Sequence, residues 1–188
     1  MLKKQQEKKL TLVTKTLLAV LALSLISCTR QVREDVKIVD QIQAKVERNL
    51  TADGTLFVEA QVAAMFNEVK ELGFRFRSTK KLNLEEARVL YVDCVAALLK
   101  EVNENEKIRP YLIKYPFTYE NTDIRISFRE RDSVPPPYIA LVLKANEFIS
   151  YSTYNNKINF FDTLHRETFE EAVKIVEETT GKKIDFGY

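Results

Sequence analysis

The hydrophobic period of the chain changes after the stretch "NENEKIRPYLIKYP", from about 3.6 residues to 2. In "TDIRISFRER" the residues Ile124, Ile126 and Phe128 alternate with Arg125, Ser127 and Arg129, the pattern of a half-buried strand. "YIALVLK", "FISYSTY" and "INFFDTLH" follow, separated by "ANE" and "NNK", connections short enough for hairpins. Four antiparallel strands in a meander are the economical reading.

Before the switch the apolar residues recur at steps of three and four. Val32, Val36, Val39, Ile42, Val46 and Leu50 predict an amphipathic helix, and "TADGT" breaks it. Val58, Val62, Met65, Val69 and Leu72 predict a second helix, with Gly73 as its left-handed terminator. Asn83 with Glu86 makes a capping-box start for a third, whose inward stripe is Leu84, Ala87, Tyr91, Cys94, Leu98 and Val102. After the strands, Thr168 with Glu171 starts a last helix, Phe169, Ala172, Val173 and Val176 form its buried stripe, and Gly181 ends it. The expected fold class is α+β: N-terminal amphipathic helices packed on a four-stranded antiparallel meander, closed by a C-terminal helix.

The N-terminus carries an address. Lys3, Lys4, Lys8, Lys9 and Lys15 precede an uncharged, Leu- and Ala-rich run from Thr16 to Thr29, the layout of a secretory signal peptide. The run is shorter than the roughly 20 apolar residues that a spanning helix needs. Its end, Leu25-Ile26-Ser27-Cys28, resembles the lipobox of bacterial lipoproteins. The resemblance covers the first 28 residues and implies cleavage before Cys28, lipidation of Cys28, and residence in a cell envelope, at the outer membrane where the cell has one. Two or more acyl chains on one residue hold a domain stably at a bilayer, which one chain does not. The expected organisation is a cleaved signal peptide over 1–27, a short tether over 28–34 and a single α+β domain over 35–188. Seven extended residues reach only about 25 Å, so the domain is expected close to its membrane.

Cleavage before Cys28 leaves 161 of the 188 residues, with 24 Lys and Arg against 26 Asp and Glu. The basicity of the whole chain thus belongs to the signal peptide, and the remaining balance gives no reason to expect nucleic acid as a partner. With Cys28 lipidated, Cys94 is the one remaining cysteine, so no internal disulfide framework is expected and Cys94 reads as a buried core residue.

Three stretches invite a binding role. Twelve of the 19 Phe and Tyr residues fall between Tyr111 and Phe169; Tyr138, Tyr151, Tyr154 and Phe161 are the candidates for an exposed aromatic surface, against the stronger reading of strand packing. In "GFRFRSTKK", Arg75 and Arg77 alternate with Phe74 and Phe76, a pattern for gripping an anionic envelope polymer or headgroup, or simply an extended segment with Phe inward and Arg outward. "SVPPPYI" reads as a stiff extended loop leading into a strand.

Catalytic signals are poor. His165 is the sole histidine, Asp162 and His165 on one strand face opposite sides, and there is no G-x-S-x-G, CxxC or His pair. Neither a cofactor nor a metal is expected. The reading is a lipid-anchored envelope protein acting as a structural or binding module, held to the membrane through Cys28, with an envelope protein or an anionic envelope polymer as partner. The alternative is an envelope hydrolase whose acid/base pair is assembled only in three dimensions.

Overall fold

Phe74 and Phe76 alternate with Arg75 and Arg77 because this stretch is an interior strand of a sheet: both rings are buried, and the two arginines lie on the opposite face. A computed structural model describes residues 32–128, 134 and 136–188. Cys28 and the rest of the expected signal peptide lie outside the described residues, as does Pro135. In chain order the elements are α1 (Glu34–Leu50), β1 (Leu56–Met65), β2 (Val69–Ser78), α2 (Leu84–Glu104), β3 (Thr122–Phe128), β4 (Leu141–Ala145), β5 (Phe148–Asn155), β6 (Phe160–Thr168) and α3 (Phe169–Thr180), with short 3₁₀ turns at Arg109–Tyr111 and Tyr119–Asn121. Asp35–Tyr188 forms one compact unit.

The sheet has six strands in the order β1-β2-β3-β4-β5-β6 and is mixed: β2 and β3 are parallel, all other neighbours antiparallel. This corrects the expected four-stranded antiparallel meander behind N-terminal helices. The segment from Val58 to Leu72 is a hairpin, not a helix. Its Ala, Glu and Gln content suits a helix, and the spacing of its apolar residues fits one by coincidence. Pairing decides otherwise, because β2 is completed on both sides, by β1 and by β3. β1 is an edge strand with Glu59, Ala60, Gln61, Ala63 and Ala64 exposed, so burial leaves little alternation in it to read.

Gly73 likewise ends no helix. It lies within β2 outside the left-handed region, between Val62 of β1 and Asp123 of β3. A Cβ at Gly73 would fall inside van der Waals contact of the Asp123 carbonyl, so glycine is what lets the two backbones approach. The buried Gln43 of α1 closes the same place from one side of the sheet, its amide donating to Val62 O at 3.0 Å and Gly73 O at 3.2 Å.

A row of paired residues, Val58, Phe76, Ile126, Val142, Tyr151 and His165, crosses all six strands on the helix-covered face. Ile38, Val39, Ile42 and Val46 of α1, and Tyr91, Val95, Leu98 and Val102 of α2, join the same core. Both expected capping boxes are present: Asn83 Oδ1 accepts from Glu86 N and Glu86 Oε2 from Asn83 N, each at 2.9 Å, and Thr168 and Glu171 do the same at 3.2 and 2.8 Å. Gly181, at φ 68°, stops α3. The sheet has two ends. One carries the β1–β2 and β4–β5 turns and the start of α3; the other carries the β5–β6 turn and the start of α2.

Candidate functional site

The structure spreads the sequence-predicted residues over both faces. Arg75 lies on the face away from the helices, where its two terminal nitrogens donate to the two oxygens of Asp123, each at 2.5 Å. That hydrogen-bonded pairing holds the guanidinium above its ordinary value. Arg77 sits 3.3 Å from a Glu59 oxygen and 5.9 Å from the Phe57 ring centroid. Each arginine of "GFRFR" therefore already holds a carboxylate. Tyr138 precedes β4 and is 36% exposed. Tyr151 is fully buried on the helix-covered face, and Tyr154, three residues along β5, is buried with its ring edge against Phe161, 5.4 Å between centroids. The Tyr154 hydroxyl donates to Asn159 Oδ1. Phe161 is half-buried, so of the four aromatic candidates Tyr138 presents the most surface.

A polar cluster gathers where the cross-sheet row ends on β6. His165 and Glu167, two residues apart on one strand, share a face. His165 Nε2 lies 3.2 Å from Glu167 Oε2, and Arg88 of α2 donates through Nε to Glu167 Oε1 at 2.8 Å. The Arg88 guanidinium also sits 5.9 Å from the centroid of Tyr151, whose buried hydroxyl meets no hydrogen-bond partner among the described residues. A groove of about 460 Å³ between β6 and α3 opens beside the cluster, lined by Arg88, His165, Glu167, Glu171, Lys174 and Glu178 among others. Burial pushes the Glu167 carboxyl up, but the hydrogen bond and charge of Arg88, with His165 adding to them, outweigh it and leave it below its ordinary value. Burial raises the Tyr151 hydroxyl far above its own. An ionised carboxylate with both oxygens engaged orients its partners and is a poor proton acceptor.

Asp162, on the same strand as His165, accepts from Asn155 Nδ2 at 2.7 Å. The i, i+2 spacing of His165 and Glu167 was the available signal. Arg88, 79 residues away, offered none.

A second groove, of about 510 Å³, has no counterpart in the apolar periodicity, because part of its wall comes from the irregular C-terminal tail. Tyr119 and Phe169 stack 4.3 Å apart at 7°, and Phe186 and Tyr188 of the tail extend this aromatic wall between α2 and α3. Asn103 Nδ2 holds the Phe186 carbonyl at 3.0 Å, Lys100 pairs with Asp185 at 2.5 Å, and Ile184 N donates to Glu177 Oε1 at 2.9 Å.

Among the described residues no three His, Cys, Asp or Glu side chains gather as metal ligands, and no helix is long and apolar enough to cross a membrane. In comparisons with protein-family models, curated proteins and solved structures, the chain matches none.

Proposed function

We propose that this chain is a lipid-anchored protein of a bacterial cell envelope, fastened through Cys28, and that its α+β domain works as a structural or binding module. The anchor rests on the Lys-rich start, the apolar run and Leu25-Ile26-Ser27-Cys28. The module rests on one observation: at the end of the sheet with the β5–β6 turn, Tyr138 before β4 is 36% exposed and Ile158 and Phe160 of the β5–β6 hairpin are 61% and 66% exposed, a surface able to take an apolar protein partner. The paired states of Arg75 and Arg77 favour such a partner over an anionic polymer.

Intact-mass and N-terminal peptide analysis of protein from its own cells, beside Cys28→Ser, tests the anchor. An acylated chain starting at Cys28, with the variant unprocessed or released from membranes, is the expected result. An unmodified N-terminus with free Cys28 overturns it.

The His165–Glu167 contact favours a second reading, an envelope hydrolase using His165 in the groove beside α3. On that reading His165→Gln abolishes hydrolysis of wall or lipid material by the purified protein and leaves its unfolding unchanged.

A further inference from the structure

We propose that the end of the domain from which α1 starts is a lipid-contact surface, where Ile113, Tyr115 and Phe148 rest on a neutral bilayer beside the acyl anchor. The inference deepens the lipid-anchor reading and rests on it.

The direction of α1 carries the argument. Gln43 bonds the carbonyls of Val62 and Gly73, and Glu47, one turn later, accepts from Gln61 at 2.9 Å, one residue back toward the start of β1. The helix thus runs away from the β1–β2 turn, and its first residues lie at that turn's end of the sheet. From Gln43 back to Asp35 is eight residues, about 12 Å of helix. From Val62 to the turn after Met65 is about 10 Å of strand, so the two arrive together.

Exposed apolar side chains collect at this same end from separate connections. Ile113 N donates to the carbonyl of Val69, the first residue of β2, at 3.1 Å, which places the 113–115 loop beside the turn. Ile113 and Tyr115 are 44% and 48% exposed, and Phe66 in the turn is 76% exposed. Phe148, 37% exposed, opens β5 opposite Thr168, the last residue of β6. β2 and β5 stand three strand spacings apart, about 14 Å, so the apolar groups span the end of the sheet instead of forming one point. Tyr115 also carries the Arg109 guanidinium 4.7 Å from its ring centroid, an amphipathic pairing suited to the headgroup boundary.

Charge selects the kind of surface. Lys114, between Ile113 and Tyr115, is held by Glu120 at 2.6 Å, and Glu68 and Glu147 are exposed in the two turns of this end. The exposed Lys37 and Lys70 of this end are matched by these carboxylates, so neither sign of charge dominates it, and the contact proposed is apolar with neutral headgroups. Reach then makes a small patch sufficient. Cys28 and Glu34 are six residues apart, at most about 20 Å, and a tether this short keeps the bilayer at high effective concentration before these side chains.

The chain contains no tryptophan, so one substitution supplies a unique fluorophore. The full acylated chain carrying Tyr115→Trp, Ile113→Trp or, at the other end, Phe160→Trp is reconstituted in phosphatidylcholine–phosphatidylethanolamine vesicles with bromine-labelled acyl chains. Quenching of roughly twofold or more with a blue shift is expected for Tyr115→Trp and Ile113→Trp, and none for Phe160→Trp. Salt at about 1 M leaves the quenching unchanged, as an apolar contact requires. Unquenched Tyr115→Trp and Ile113→Trp in protein that floats with the vesicles and carries the acyl mass overturn the surface and leave the anchor standing. Protein that lacks the acyl mass and does not float overturns the anchor, and the surface with it.

Discussion

Arg88 of α2 and Glu167 of β6 form an ion pair inside the domain, Nε to Oε1 at 2.8 Å, with side chains only 8% and 4% exposed. Removing one partner strands the other. Arg88→Met is expected to destabilise the protein by about 3–5 kcal/mol, measured by urea unfolding. The pair also sets a pH dependence. Because the folded Glu167 carboxyl titrates below its ordinary 4.5, its contribution is complete above that value and is lost as the pH falls through the folded one. In Arg88→Met the main group that holds the carboxyl down is gone and burial is opposed chiefly by the His165 contact, so this acid-side loss of stability shrinks.

Gly73 tolerates no side chain. Gly73→Ala drives a methyl into the Asp123 backbone and is expected to cost about 3 kcal/mol or more, since a strand held on both sides cannot move away. Loss of soluble yield together with a lowered urea midpoint checks this. Gly54→Ala is the contrasting control: no atom lies near the added methyl, and the strain arises only from its φ of 69°.

Asn103 ties three segments together. Its side chain accepts from Phe117 N at 2.8 Å and donates to Phe117 O and Phe186 O, both at 3.0 Å. Asn103→Ala leaves those buried groups without partners and is expected to cost about 2–4 kcal/mol. Faster hydrogen exchange at the Phe117 amide and quicker carboxypeptidase removal of the tail distinguish this from a general loosening.

Burial pushes the Cys94 thiol well above its ordinary 9.0. Its alkylation at about pH 8 is therefore expected to proceed only through global opening, roughly 10³-fold or more slower than in urea-unfolded protein. Rapid labelling under native conditions contradicts the burial.

What was legible follows from how much of each element is buried. α2 and α3 announced themselves because a capping box and a one-sided apolar stripe coincide at Asn83–Val102 and Thr168–Val176. β3 was plain because Ile124, Ile126 and Phe128 face a helix layer while Asp123 and Arg125 do not. β1 was lost because an edge strand exposes Ala60, Ala63 and Ala64 and so leaves a helix-like spacing unopposed. The parallel pairing of β2 and β3 was invisible, since it depends on where α2 carries the chain. The polar cluster was half legible: His165 and Glu167 stand two apart, while Arg88 reaches them only through the packing of α2.

The parallel pairing also orders events in time. Leu72 and Thr122 are neighbours across it, fifty residues apart in the chain with α2 between them, whereas paired residues of the other neighbouring strands lie no more than 22 apart, as do Leu56 and Ser78. As the chain is synthesised, the β1–β2 hairpin can close early, but one edge of β2, with Phe74 and Phe76, waits unpaired until β3 emerges. By its sequence separation this seam is expected to be the slow step of folding, and the interval before it closes is when an unpaired edge of β2 is open to another chain.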